Sequence, residues 1–322
     1  MNIVIPDDYQ DCVRSLACFS RLAGHQVTIY NDTVKDLDSL AARFKDAEAL
    51  VLIRERIPVD AALLARLPRL KLISQTGKVA SHLNVADCTA RGVAVADGSG
   101  SGAATAEFAW MLTLASRRHL VAEANRLKAG LWQHTLGQEL KGQTLGILGY
   151  GRIGQQVAQY GKAFGMKVMV WGREASLQGA ARDDFIPAAS REAFYSEADV
   201  LSVHVRLTPA THGYITAADL ARMKPGALFV NTSRAELVEP GALVEALKRG
   251  RPGFGAVDVY ESEPVLGASH PLLQLDNALC TPHLGFVERD NYEAYFGHAF
   301  DNINAFAKGQ PANLVNPEVW KG

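Results

Sequence analysis

The stretch Thr144–Gly154, Thr-Leu-Gly-Ile-Leu-Gly-Tyr-Gly-Arg-Ile-Gly, constrains the fold more than any other part of the chain. Its apolar run, Leu145 to Leu148, has the length of a buried strand. Gly149-x-Gly151-x-x-Gly154 follows, and then Gln155 to Ala163, with Ile153, Val157 and Tyr160 at helical spacing. Strand, glycine turn and helix in that order predict a dinucleotide-binding βαβ unit, the alternative being a glycine turn of structural use only. Gly149 permits the tight turn, Gly151 lets the backbone approach a pyrophosphate, and Gly154 lets helix and strand pack closely. The helix N-terminus then offers free N–H groups and a partial positive charge to that anion.

The rest of the chain repeats the alternation. Strands are expected at Ile3 to Ile5, Val27 to Tyr30, Ala49 to Ile53 and Leu70 to Ser74. Helical spacing covers Val13 to Leu22, Leu37 to Phe44 and Ala61 to Leu67. Such alternation implies a parallel sheet covered by helices, and the near-continuous apolar strands fit a sheet buried on both faces. Asp97-Gly-Ser-Gly-Ser-Gly102 is a small-residue crossing point between domains. One long helical pattern then runs from about Ala104 to Leu127, ended by Gly130 and Trp132. The second alternating unit continues from Thr144 through Val168 to Trp171, Val200 to His204, Leu228 to Asn231, Gly255 to Val259 and Ala278 to Thr281. Helices are expected at Ala217 to Met223, Pro240 to Lys248 and roughly Glu288 to Lys308. The last has no new sheet to cover, so its apolar positions Tyr292, Phe296, Phe300 and Ile303 point back to the first domain. The expected organisation is α/β with two doubly wound parallel-sheet domains: residues 1–102 with 286–322, and an inserted dinucleotide domain at 103–285.

Composition narrows the function. A length of 322 residues fits about two domains. A formal net charge of −1 gives no electrostatic case for nucleic acid or an anionic membrane. Apolar stretches such as Phe108 to Leu112 are far too short to span a bilayer, and no signal peptide is expected ahead of Asn2-Ile-Val-Ile-Pro6. Cys12, Cys18, Cys88 and Cys280 lack CxxC pairing and read as reduced thiols of a cytoplasmic protein. Cys280-x-x-His283 without further ligands is no zinc motif, so no metal is expected.

Three strand ends in the second half carry polar residues: Asn231-Thr-Ser-Arg234, Asp258-Val-Tyr-Glu-Ser-Glu263 and Thr281-Pro-His283-Leu-Gly285. Ligands of open parallel sheets bind at the carboxyl ends of strands, so these groups can converge near the nucleotide. An Arg, a carboxylate and a His together suit reduction of a 2-keto acid. Arg can bind a carboxylate bidentately and polarise a carbonyl. His can supply a proton, and a neighbouring carboxylate orients it and favours its charged form. Taken singly, each has a plainer reading: a solvated Arg, an ordinary loop acid, a structural His.

Here the chain resembles the D-isomer-specific 2-hydroxyacid dehydrogenases. The resemblance is carried by Gly142 to Gly154, Val203 to Thr211, Val230 to Val238, Asp258 to Pro264 and Thr281 to Gly285, in order and over nearly the whole chain. It implies a flavodoxin-like substrate domain and a Rossmann-like NAD(P)-binding domain around a cleft, commonly dimerised through the cofactor domain. It places the catalytic roles on Arg234, Glu263 and His283, and nucleotide contacts on Arg152, Ile153, Val205, Thr232, Ser233 and Asp258, with Gly285 in the His283 motif. The substrate implied is a small 2-keto or D-2-hydroxy acid. A dinucleotide-sensing corepressor on the same fold is the alternative; the presence of all three catalytic residue types favours the enzyme.

The chain departs from the family pattern at Ala235-Glu236, where a further glycine is frequent, and at Arg206, where proline is usual. The substrate loop reads Gln75-Thr-Gly77-Lys78-Val79, with Val79 in place of a glycine. Arg54, Gly77 and Lys78 are the expected substrate residues; the positive charge of Arg54 and Lys78 favours an acidic or phosphorylated substrate, ordinary surface charge being the plainer reading. The chain shows no regulatory extension after the last helix, which argues against an allosteric long-form phosphoglycerate enzyme. In the fingerprint an acid beyond the second strand binds the ribose 2′-hydroxyl. After Lys167-Val-Met-Val-Trp171 stand Gly172 and Arg173, with Glu174 one step further. Room for a phosphate and a guanidinium to pair with it lean the expected cofactor toward NADP.

Overall fold

The computed structural model describes residues 1–320. They form two compact units, Met1–Ser101 with the chain from Glu288, and Gly102–Val287.

In the first unit the strands are β1 (Asn2–Ile5), β2 (Gln26–Ile29), β3 (Ala49–Ile53), β4 (Leu72–Thr76) and β5 (Ala94–Ala96). Their order is β2-β1-β3-β4-β5, all pairs parallel, the flavodoxin-like arrangement. The helices are α1 (Leu37–Phe44), α2 (Ala61–Leu64) and α3 (Val85–Ala90). Each starts on a polar cap: Asp36 accepts from Ser39 N, Asp60 from Leu63 N, and Asn84 from Ala86 N and Asp87 N. β3 is buried at every residue, as a central parallel strand must be.

The second unit carries α4 (Ala103–Arg117), α5 (Leu120–Lys128), β6 (Thr144–Leu148), α6 (Arg152–Ala163), β7 (Lys167–Trp171), α7 (Glu174–Arg182), β8 (Ile186–Pro187) and α8 (Arg191–Glu197). There follow β9 (Val200–Val203), α9 (Ala217–Arg222), β10 (Leu228–Asn231), α10 (Ala242–Lys248), β11 (Phe254–Val257) and β12 (Ala278–Cys280). The order β12-β11-β10-β9-β6-β7-β8 reverses direction between β6 and β9. That reversal is the crevice at which doubly wound sheets bind nucleotides. The last helix, α11 (Arg289–Ala307), belongs to the first unit. It buries Tyr292, Phe296, Phe300 and Ile303, and its Ala299 carbonyl accepts from Ser74 Oγ at 2.9 Å.

Two helical expectations give way to broken structure. Val13 to Leu22 is not one helix but two 3-10 segments, Val13–Ser15 and Ala17–Leu22, separated by extended Leu16. Asp8 captures the amides of Cys12 and Val13, while Glu293 of α11 captures those of Ala17 and Cys18 at 2.6 and 2.9 Å. Two carboxylates thus start two short turns where periodicity suggested one helix. The long pattern from Ala104 to Leu127 also breaks, at His119, whose left-handed backbone (φ 51°) separates α4 from α5. Periodicity cannot reveal such a break, because both halves keep apolar residues in step.

Candidate active site

The glycine turn is a cradle made of missing side chains. Gly149 follows β6 at φ 90°, a conformation side chains rarely adopt, and a Cβ there would stand 2.7 Å from the His204 carbonyl and 2.9 Å from Val205 Cγ2. A Cβ on Gly154 would stand 2.2 Å from the Gly149 carbonyl, so helix α6 can pack on the turn only through hydrogen. Gly151, the N-cap of α6, faces open space. Arg152 and Ile153 open the helix, both beside Gly102. Gly172, at the end of β7, lies 3.8 Å from Gly149 Cα, measured from its virtual Cβ. Next to it, Arg173 is an exposed N-cap of α7, and Glu174 accepts from Gln178 on its own helix at 2.9 Å.

Two further residues shape the cradle's flank. Ser233 donates its hydroxyl to the Val203 carbonyl at 2.7 Å, joining the ends of β9 and β10. Thr232 is 7% exposed and its Oγ1 has no hydrogen-bond partner. A buried hydroxyl left unpaired beside a glycine cradle fits a bound polar ligand that completes it. Open backbone at Gly151, the free helix end and this orphan hydroxyl therefore suit a dinucleotide.

At the ends of β11 and β12 the opposite construction appears. His283 Nδ1 lies 2.6 Å from Glu263 Oε2. A carboxylate can only accept, so Nδ1 carries the proton and Nε2 is the nitrogen left unprotonated in the neutral ring. Glu263 is itself fixed, since its Oε1 accepts from the Tyr260 amide at 3.0 Å. His283 stands on a left-handed backbone, φ 53°, which a non-glycine residue holds at a cost of about 1–2 kcal/mol. The surrounding loop is pinned by Asp258, fully buried, which accepts from Thr281 Oγ1 at 2.6 Å and from the Leu284 and Gly285 amides at 2.8 Å. Burial pushes the Asp258 carboxyl up, against the pull of those three donors and of His283. Gly285 sits tight against that carboxylate, a Cβ meeting Asp258 Oδ2 at 3.2 Å.

Arg234 ends the neighbouring turn. Asn231 closes that turn, donating Nδ2 to the Arg234 carbonyl at 2.9 Å and accepting from the Ser233 amide at 3.0 Å. The Arg234 guanidinium donates to the Ser233 carbonyl at 2.6 Å. Asp258, expected as a nucleotide contact, has both oxygens engaged by the His283 loop. Asn231 stands in a polar strand end that the sequence marks, but nothing in the sequence gives a role to Tyr260, which acts through its amide and phenol.

Arg54, Gly77 and Lys78 lie in the first unit and form a group of their own. Arg54, at φ 54°, places its guanidinium carbon 5.4 Å from the Tyr295 ring centroid and crosses Gly77, where a Cβ would meet its Nη1 at 2.4 Å. Lys78 is paired with Asp97 at 2.8 Å, with its side chain 69% exposed. Among the described residues, no three His, Cys, Asp or Glu side chains group as a metal site, and no helix is long and apolar enough to cross a membrane.

Residues 110–285 match the family profile described as D-isomer specific 2-hydroxyacid dehydrogenase, NAD binding domain. A glyoxylate reductase of Aeropyrum pernix is 38% identical over 296 residues, 88% of this chain and 87% of the relative. The crystal structure of a phosphoglycerate oxidoreductase from Vibrio cholerae is 53% identical, spans 96% of this chain and 99% of that one, and has a TM-score of 0.94. D-lactate dehydrogenase from Aquifex aeolicus, solved with NAD and lactic acid, is 27% identical over 98% of this chain and 99% of that one, at a TM-score of 0.78. The chain belongs to the D-isomer specific 2-hydroxyacid dehydrogenases and carries that family's NAD-binding domain. The reductase and dehydrogenase relatives stand on the enzyme side of the two readings.

Proposed function

We propose that the protein interconverts a small 2-keto acid and the corresponding D-2-hydroxy acid, with Arg234, Glu263 and His283 as its working groups. The observation that carries this reading is the 2.6 Å His283–Glu263 pair, with the acid held from behind by the Tyr260 amide. Bound nicotinamide dinucleotide supplies the hydride. In the reduction, protonated His283 gives the Nε2 proton to the carbonyl oxygen, and Glu263 steadies the imidazolium until it does. Arg234 binds the substrate carboxylate and polarises the carbonyl. In the reverse direction neutral His283 takes the hydroxyl proton. Gly149, Gly151 and Gly154 would cradle the pyrophosphate, with Arg152, Ile153, Val205 and Thr232 along the nucleotide. Arg54, Gly77 and Lys78 keep their reading as substrate-anion residues, and an acidic substrate is favoured.

Three finer readings belong with this one. NADP is the favoured cofactor, because Gly172 lies beside Gly149, Arg173 is exposed next to it, and Glu174 is engaged within its own helix. A homodimer through the second unit is favoured by α5, which buries none of its residues, and by the segment after it, where Trp132 is 73% and Leu136 94% exposed. Apolar patches of that kind mark interaction surfaces. Four unpaired cysteines suit a reducing compartment, hence the cytoplasm.

Steady-state assay against a panel of 2-keto acids with NADH and NADPH tests the central reading. Turnover on at least one acid is expected. Nucleotide binding with no turnover on any acid would instead favour the nucleotide-sensing alternative.

A further inference from the structure

Tyr260 holds the acid through its amide, and its phenol makes a second contact that the reaction scheme above does not use. It is 7% exposed and packs in the second unit's apolar cluster, its ring 5.0 Å from that of His270. Its amide donates to Glu263 Oε1 at 3.0 Å, and its phenol donates to the Thr281 carbonyl, also at 3.0 Å. That carbonyl already accepts from the His283 amide at 3.0 Å, closing the tight turn through Pro282 that presents His283 at φ 53°. The contacts form a closed circuit: Tyr260 to Glu263, Glu263 to His283, His283 to Thr281, and Thr281 back to Tyr260.

We propose that Tyr260 is a positioning residue that couples Glu263 and His283, its amide fixing the acid and its phenol fixing the turn that carries the histidine. Two loops from different strands are thereby held to one geometry. Without the phenol, the left-handed turn at His283 loses an external tie and relaxes toward ordinary backbone, carrying Nδ1 away from Glu263. The inference rests on His283 as the proton-transfer group. The groups facing the phenol are the Cys280 thiol, Asp258 and Glu263, with His270 against the ring; burial is the main reason its ionisation is pushed up, so it stays a neutral donor.

Tyr260→Phe tests this while keeping the ring and its packing. The Nδ1–H resonance of the His283 ring is followed by NMR in the full-length protein alongside steady-state kinetics. The expected result has three parts: kcat falls about 10-fold, as loss of alignment predicts; the KM for the nucleotide stays unchanged; and the His283 Nδ1–H resonance loses the low-field position that its hydrogen bond to Glu263 gives it. A resonance identical to that of the parent, with only thermal stability reduced, would make Tyr260 a core residue and overturn the proposal. Should that variant not fold, 3-fluorotyrosine at 260 in a His270→Asn background serves instead. Its ¹⁹F shift should change when Glu263→Gln breaks the acid's pair with His283, and an invariant shift would overturn the coupling. The resonance reads the pairing whether or not His283 moves a proton in turnover. That role is judged separately by His283→Ala kinetics.

Discussion

The glycine cradle and the histidine corner belong to the same sheet and use side chains in opposite ways. At the end of β6 the structure works by exclusion: a methyl at Gly154 would collide with the Gly149 carbonyl at 2.2 Å, and one at Gly149 with the His204 carbonyl at 2.7 Å. At the ends of β11 and β12 it works by mutual restraint, each side chain held by another: Asp258 by three donors, Glu263 by two, His283 by Glu263. The cradle is therefore a property of the backbone, and damage to it should appear as lost nucleotide affinity or lost fold. The corner is a property of an alignment, and damage to it should appear in turnover.

The largest effect expected from this contrast is that of His283→Ala. Its kcat should fall by about 10²–10⁴-fold, with nucleotide Kd changed by less than about 2-fold. Stopped-flow turnover beside a fluorescence titration checks both, and near-parental turnover would remove the proton-transfer role. Gly154→Ala is the mirror experiment. Forcing a methyl against a backbone carbonyl costs about 1–3 kcal/mol, so nucleotide Kd should rise by about 5- to 150-fold where that strain falls on the bound state. The His283 Nδ1–H resonance should stay in place. A shift of both would mean that cradle and corner are not separable.

Arg173→Ala should be smaller and confined to one cofactor. Losing a charge-assisted contact of about 1.5–3 kcal/mol, less in so exposed a position, should lower kcat/KM with NADPH several-fold and leave NADH untouched. An NADH preference unchanged by the substitution would take Arg173 out of the nucleotide site. The smallest expected effect concerns Asp258, whose carboxyl is raised above 3.8 chiefly by burial. A carboxyl with a raised folded pKa contributes stability that is fully present below the unfolded value and lost as pH rises through the folded one. Asp258→Asn removes that dependence. The Tm difference, variant minus parent, should therefore increase from pH 4 upward; a decrease would show that the Thr281, Leu284 and Gly285 donors outweigh burial.

The same contrast explains what was legible in the sequence. A cradle defined by absent side chains is written as spacing, so Gly149, Gly151 and Gly154 stand out in a single line of residues. The three candidate working groups were visible only as residue types at strand ends, because Glu263 and His283 meet across 20 positions and the fold alone sets their 2.6 Å approach. Tyr260 was invisible in function: inside Asp258-Val-Tyr-Glu-Ser-Glu263 it looks like one more apolar residue, and its ties run through an amide and a turn carbonyl that no pattern encodes. The sheets followed from alternating apolar runs, but three-residue β5 and two-residue β8 are too short to show a period. The break in Val13–Leu22 depended on Glu293, some 275 residues away.

The left-handed backbone at His283 also filters what can replace it. At φ 53° glycine, asparagine and aspartate are tolerated, whereas valine and isoleucine clash with their own main chain. Descendants that abandoned the reaction while keeping the architecture would drift through the first group and seldom through the second. Asparagine in the Thr-Pro-x-Leu-Gly frame, rather than a random assortment, would then be the mark of a silent copy, readable in an uncharacterised sequence before any assay.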